Sequence, residues 1–102
     1  MIRRENRCPL CGATFTAAEL LDGCGDVVDL HLGVLATRCP HCQGYLEIVP
    51  AAGELRIGYT SGKGSLRFDE AFALPCAGLE FARATDPPRL IVTAAGRCWE
   101  FA

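Results

Sequence analysis

Lysine and histidine are scarce in this chain: Lys63 is the only lysine, and His31 and His41 are the only histidines, in 102 residues. So few histidines, with no G-x-S-x-G or metallohydrolase motif, leave no nucleophile-and-base set to assemble, and the chain reads as non-enzymatic. Excess positive charge is missing too. The formal net charge is −2, whereas a protein whose main task is coating a phosphate backbone needs a strongly basic surface. No uninterrupted apolar run reaches about 18 residues, so no membrane-spanning helix is expected. Nor do Met1 to Arg7 contain an apolar signal segment, and a reducing, cytoplasmic setting is the expectation.

What is present suits one folded unit. Half of the residues are hydrophobic and 22% are charged, the balance of a packed soluble protein rather than a disordered tail. The length matches one modest core, so residues 1–102 are expected to form a single domain.

Seven cysteines are the richest chemical signal. Four fall into two C-x-x-C pairs, Cys8-Pro9-Leu10-Cys11-Gly12 and Cys39-Pro40-His41-Cys42-Gln43-Gly44, with twenty-seven residues between them. A tight C-x-x-C turn brings two sulfurs to one ion, and two such turns complete the tetrahedral shell that Zn2+ favours. Pro9 and Pro40 set φ in those turns, and Gly12 is free to take φ > 0. The second turn is looser, because Gln43 stands before its glycine. Sulfur at all four positions leaves no place for a reactive water, so Cys8, Cys11, Cys39 and Cys42 predict one structural Zn2+. The competing chemistry is redox, since Cys39-Pro40-His41-Cys42 is similar to the active-site motif of thioredoxin-fold oxidoreductases. That motif relies on a following helix to lower the thiol pKa, and Tyr45-Leu46-Glu47-Ile48-Val49 has strand character instead.

Residues 8–50 resemble a zinc ribbon, on the strength of the C-P-x-C-G and C-P-x-C-x-G knuckles and the hairpin pattern that follows. Similar ribbons occur in transcription factors, ribosomal proteins, enzyme subunits and many bacterial proteins. The resemblance therefore implies a metal site and no particular role.

Along the chain, Thr16 and Glu19 form a capping-box pattern and Gly23 is a stop, which predicts a short helix over Thr16 to Asp22. Val28, Leu30, Leu32 and Val34 recur at period two, predicting one strand from Asp26 to Thr37 that leads into the second knuckle. Tyr45 to Pro50 and Leu55 to Tyr59 read as a hairpin. Thr60 to Ser65 is a loop that misses the P-loop spacing. Ser65 to Phe68 suggests a short strand, and Asp69 to Leu74 a turn of helix. Gly78 to Ala84, Arg89 to Ala94 and Arg97 to Phe101, separated by Thr85-Asp86-Pro87-Pro88 and Ala95-Gly96, predict three antiparallel strands. The fold class expected is mostly β: an N-terminal zinc ribbon (8–50) with one short helix, continuous with an antiparallel β extension or meander (54–102).

Arg3, Arg4 and Arg7 precede the first knuckle and Arg38 the second, making a rim available to a partner or to nucleic acid. Cys24, Cys76, Cys98 and His31 include the right types for a second metal site. They lack knuckle spacing, and three core thiols is the simpler reading. The large aromatics Tyr45, Tyr59, Phe68, Phe81, Trp99 and Phe101 are expected in the core rather than as a stacking platform. The function expected is a non-catalytic module that binds another protein. A nucleic-acid contact through the arginines and an accessory subunit of a larger enzyme are the alternatives.

Overall fold

The structure, a computed structural model, describes residues 7–8, 10–24, 28–30, 33–60 and 66–102. Arg3, Arg4, His31 and the loop around Lys63 lie outside the described residues.

Helix α1 (Ala17–Asp22) begins where the sequence places it. Thr16 is its N-cap, the Thr16 hydroxyl accepts from the Glu19 amide, and the Glu19 carboxylate accepts from the Thr16 amide at 2.7 Å. Gly23 caps the other end. Six residues are too few for an independent helix, and burial of Leu20 and Leu21 holds this one in place.

The strands are β1 (Val28–Asp29), β2 (Val34–Arg38), β3 (Tyr45–Ala51), β4 (Glu54–Thr60), β5 (Leu66–Pro75), β6 (Glu80–Ala84), β7 (Arg89–Ala94) and β8 (Arg97–Phe101). Every pairing is antiparallel. β1 to β5 form one sheet in chain order, and β6 to β8 a second. The mostly β fold with a short helix is thus as expected, with the meander divided between two sheets. Among the described residues no helix is long and apolar enough to cross a membrane.

Alternation sets the core. Leu35 faces Ile48, Ile48 faces Ile57, and Leu55 faces Leu74 across the first sheet, and all are buried. Leu90, Val92, Ala94 and Phe101 of the second sheet join the same buried cluster, as do Leu20, Leu21 and Phe15. Each fully buried Leu or Ile contributes roughly 2–3 kcal/mol of transfer free energy. The β7–β8 hairpin closes through Ala95 (φ 51) and Gly96 (φ 80), a pair of left-handed residues whose twist matches that of the strands.

Three local expectations are corrected. The single strand from Asp26 to Thr37 is a hairpin, because Gly33 takes φ 74 and donates to the Asp29 carbonyl at 2.7 Å, reversing the chain. Within β2, Leu35, Ala36 and Thr37 are all buried and Val34 is half-buried, so the strand is covered on both faces. Asp69 to Leu74 belongs to the ten-residue β5 rather than to a helical turn. The β4–β5 register shifts between Ile57 and Tyr59, and such a shift destroys the period-two pattern by which a strand is recognised. Phe81 is not a core aromatic, since 41% of it is exposed on β6.

Candidate metal centre

Two short turns, built alike, carry the paired cysteines. In the first, Cys8 donates its amide to the Ala13 carbonyl (2.7 Å) and Gly12 donates to the Cys8 carbonyl (2.9 Å). The second repeats both bonds, Cys39 to Gly44 and Gln43 to Cys39, each at 2.9 Å. The Arg7–Thr14 bridge closes the first turn at its base, and the Arg38–Tyr45 pair of β2 and β3 closes the second. The strands therefore fix where each knuckle begins and ends.

The four cysteine sulfurs all lie within 4.8 Å of one another. Cys8 Sγ is 3.9 Å from Cys42 Sγ, and Cys11 Sγ is 3.7 Å from Cys39 Sγ. A tetrahedron with metal–sulfur bonds of about 2.3 Å has edges of about 3.8 Å, so the donor set and its spacing fit one tetrahedral metal ion. Cys8 and Cys39 are buried, whereas Cys11 and Cys42 are exposed. Backbone amides point at the sulfurs: Leu10 at Cys8, His41 at Cys39 and Gly44 at Cys42, each at 3.4 Å. Such donors stabilise thiolates and orient the ligands.

The electrostatics of the quartet are uneven. Burial pushes the Cys8 thiol up to about 12, against the Leu10 and Cys11 amides. Burial acts on Cys39 in the same sense, but the Cys42 and His41 amides and the neighbouring thiols outweigh it and lower Cys39 to about 7. His41, placed in the turn, contributes its amide to that sulfur.

Gly44 meets the other knuckle in a way its sequence position does not reveal. A Cβ at this residue would overlap the Leu10 side chain and stand 3.2 Å from Cys42 Sγ. The tip of one knuckle thus rests on the glycine of the other.

The flanking arginines serve different ends. Arg38 donates to the Gln43 carbonyl at 3.2 Å, and its guanidinium lies over the Tyr45 ring, 6.0 Å from the centroid. Part of its hydrogen-bonding capacity is therefore used by the second knuckle itself. Arg7 is exposed at the base of the first. The other cysteines do not join the quartet, and among the described residues no further cluster of metal-ligating groups occurs. Cys76 is buried, Cys24 half-buried with its thiol pushed up to about 12 by burial, and Cys98 exposed. The expectation of three core thiols is met by Cys76, partly met by Cys24, and fails for Cys98.

Sequence reasoning missed a polar cluster at the end of α1. Arg97 grips the Asp22 carboxylate with two bonds, 2.8 and 3.3 Å, and Trp99 Nε1 donates to the same carboxylate at 2.8 Å. The Arg97 guanidinium also lies over the Trp99 ring, 4.6 Å from its centroid. A cleft of about 380 Å³ opens beside these residues, lined also by Leu21, Cys24 and Phe101. The i, i+2 spacing of Arg97 and Trp99 puts them on one face of β8, but nothing local points to Asp22.

No family model, no curated protein and no solved structure matches this chain.

Proposed function

We propose that this protein is a small non-catalytic zinc-ribbon module, in which a structural Zn2+ bound by Cys8, Cys11, Cys39 and Cys42 fastens the N-terminal knuckle to the β2–β3 hairpin. The observation that carries the metal reading is the sulfur tetrahedron itself, with approaches of 3.7 and 3.9 Å between knuckles. Four sulfurs complete a tetrahedral shell and leave no position for a reactive water, which favours structure over catalysis. Structural zinc contributes on the order of 10 kcal/mol to folding, comparable with the whole stability of a domain this size. The exposed surfaces then serve to bind another protein, as an adaptor or as an accessory subunit of a larger assembly. Nucleic acid is the lesser alternative, because of the two rim arginines within the described residues one is engaged by its own knuckle.

Metal analysis of the purified chain, paired with Cys11→Ser and Cys39→Ser, tests this reading. One zinc per chain is expected, with loss of the knuckle fold and of metal in both variants. A variant that keeps its fold and its melting temperature in chelator would overturn it. Salt-sensitive binding to DNA or RNA at micromolar protein would instead favour the nucleic-acid alternative.

A further inference from the structure

We propose that the quartet is also an oxidation site for hydrogen peroxide, in which Cys42 and Cys11 are attacked first and Cys8 and Cys39 resolve them into two disulfides joining the knuckles. The inference rests on the metal reading above.

Access and proximity define the order. A thiolate reacts with peroxide according to its exposure and thiolate character. Metal ligation keeps all four sulfurs as thiolates, so exposure decides among them. Cys11 and Cys42 are exposed, while Cys8 is 1% and Cys39 0% exposed. Each exposed sulfur has a buried one close by in the opposite knuckle, Cys42 beside Cys8 at 3.9 Å and Cys11 beside Cys39 at 3.7 Å. The exposed thiolate attacks peroxide, the O–O bond breaks, and the sulfur becomes a sulfenic acid as hydroxide leaves. The buried thiolate then attacks that sulfur, an S–S bond forms, and a second hydroxide leaves. Solvent protons neutralise both hydroxides, and each disulfide consumes one peroxide. The metal loses its ligands and dissociates.

The sulfur approaches of 3.9 and 3.7 Å run across the knuckles and point to that pairing. Two backbone bonds hold each C-x-x-C turn in shape, and the Leu10 and His41 amides hold Cys8 and Cys39 to their own loops. A disulfide requires sulfurs about 2.05 Å apart. Closing it between turns needs only a small approach of two intact loops. The first knuckle then stays attached to the β2–β3 hairpin after metal loss, so the oxidised chain keeps a fold that the reduced, metal-free chain loses.

The test uses the zinc-loaded Cys98→Ser chain, which lacks one exposed thiol that is not in the quartet. It is treated with about two molar equivalents of hydrogen peroxide, one for each disulfide. Zinc release is followed with a chromogenic chelator, and disulfides are mapped by mass spectrometry of peptides under non-reducing conditions. The expected result is release of the bound zinc with Cys8–Cys42 and Cys11–Cys39 cross-links, reversed by dithiothreitol and added zinc. Cross-links within a knuckle overturn the proposal, and so does zinc retained with Cys11 and Cys42 unmodified. Sulfinic acid at Cys11 or Cys42 without a disulfide also overturns it. A chain that takes up no zinc before peroxide is added overturns the metal reading itself, and this inference with it.

Discussion

Gln43 occupies in the second knuckle the backbone position that Gly12 occupies in the first: φ is 63 and 82 respectively, and each amide donates to the carbonyl of the first cysteine at 2.9 Å. The left-handed conformation costs a residue with a Cβ about 1 kcal/mol, so the second turn forms despite its sequence. Gly12→Ala is expected to lower the stability of the metal-loaded protein by about 1 kcal/mol. Nothing lies within 4 Å of a Cβ at Gly12, so backbone strain alone would be measured. Gln43→Gly should be nearly neutral, because strain relief is offset by the greater freedom of glycine in the unfolded chain. Thermal denaturation of the two variants side by side checks the pair.

Gly44 yields a sharper test, since its neighbour is known. Gly44→Ala should cost about 1 kcal/mol, because the Leu10 methyl it overlaps is the end of a side chain that can turn aside. Leu10 is 40% exposed, so Leu10→Ala alone should cost little and should recover most of the loss in the double variant. A coupling energy near zero in the double-mutant cycle would show that the knuckles do not touch in this way.

Metal affinity should fall with acidity, because each ligand must lose its proton to bind. Burial pushes the Cys8 thiol up to about 12 in the formed knuckle, so this ligand carries a proton throughout the neutral range until metal displaces it. Its proton alone makes zinc affinity drop at least about 100-fold from pH 8 to pH 6, a tenfold change per unit for each proton displaced. Cys39, at about 7, adds its own proton to the exchange as the pH falls below that value. Competition titration with a chelator of known pH dependence measures the slope, and a slope below one proton would contradict binding through thiols that must lose their protons.

Asp22 should give a separate acid transition. Its hydrogen bonds from Trp99 and Arg97 hold the carboxyl below the usual carboxylate range. The stabilisation is therefore full above the unfolded carboxylate pKa and is lost as the pH falls through the lowered folded value. Asp22→Asn should flatten this acid loss and lower the melting temperature at neutral pH. Trp99 is the only tryptophan, so its fluorescence reports the break directly. Asp22→Ala removes both acceptor oxygens, and an unchanged emission spectrum in that variant would show that the Trp99–Asp22 bond does not persist in solution.

Legibility varied with the range of the interactions involved. The helix was readable because Thr16, Glu19 and Gly23 act within a few residues, and the β3–β4 and β7–β8 hairpins because turn residues interrupt clear alternation. The reversal at Gly33 was hidden, since Val28, Leu30, Leu32 and Val34 keep an apparent period of two across the turn. β5 was hidden because its register shifts midway along the strand.

The cysteine spacing determined by itself that two knuckles would form, since a C-x-x-C turn is a local structure whose sulfurs have few other places to go. Tertiary structure alone decided that the knuckles meet with Leu10 over Gly44, that two sulfurs are buried and two exposed, and that Asp22 receives Arg97 and Trp99 from 75 and 77 residues away. Such contacts depend on how elements far apart in sequence pack together, and a packing relation between distant segments leaves no pattern along the chain.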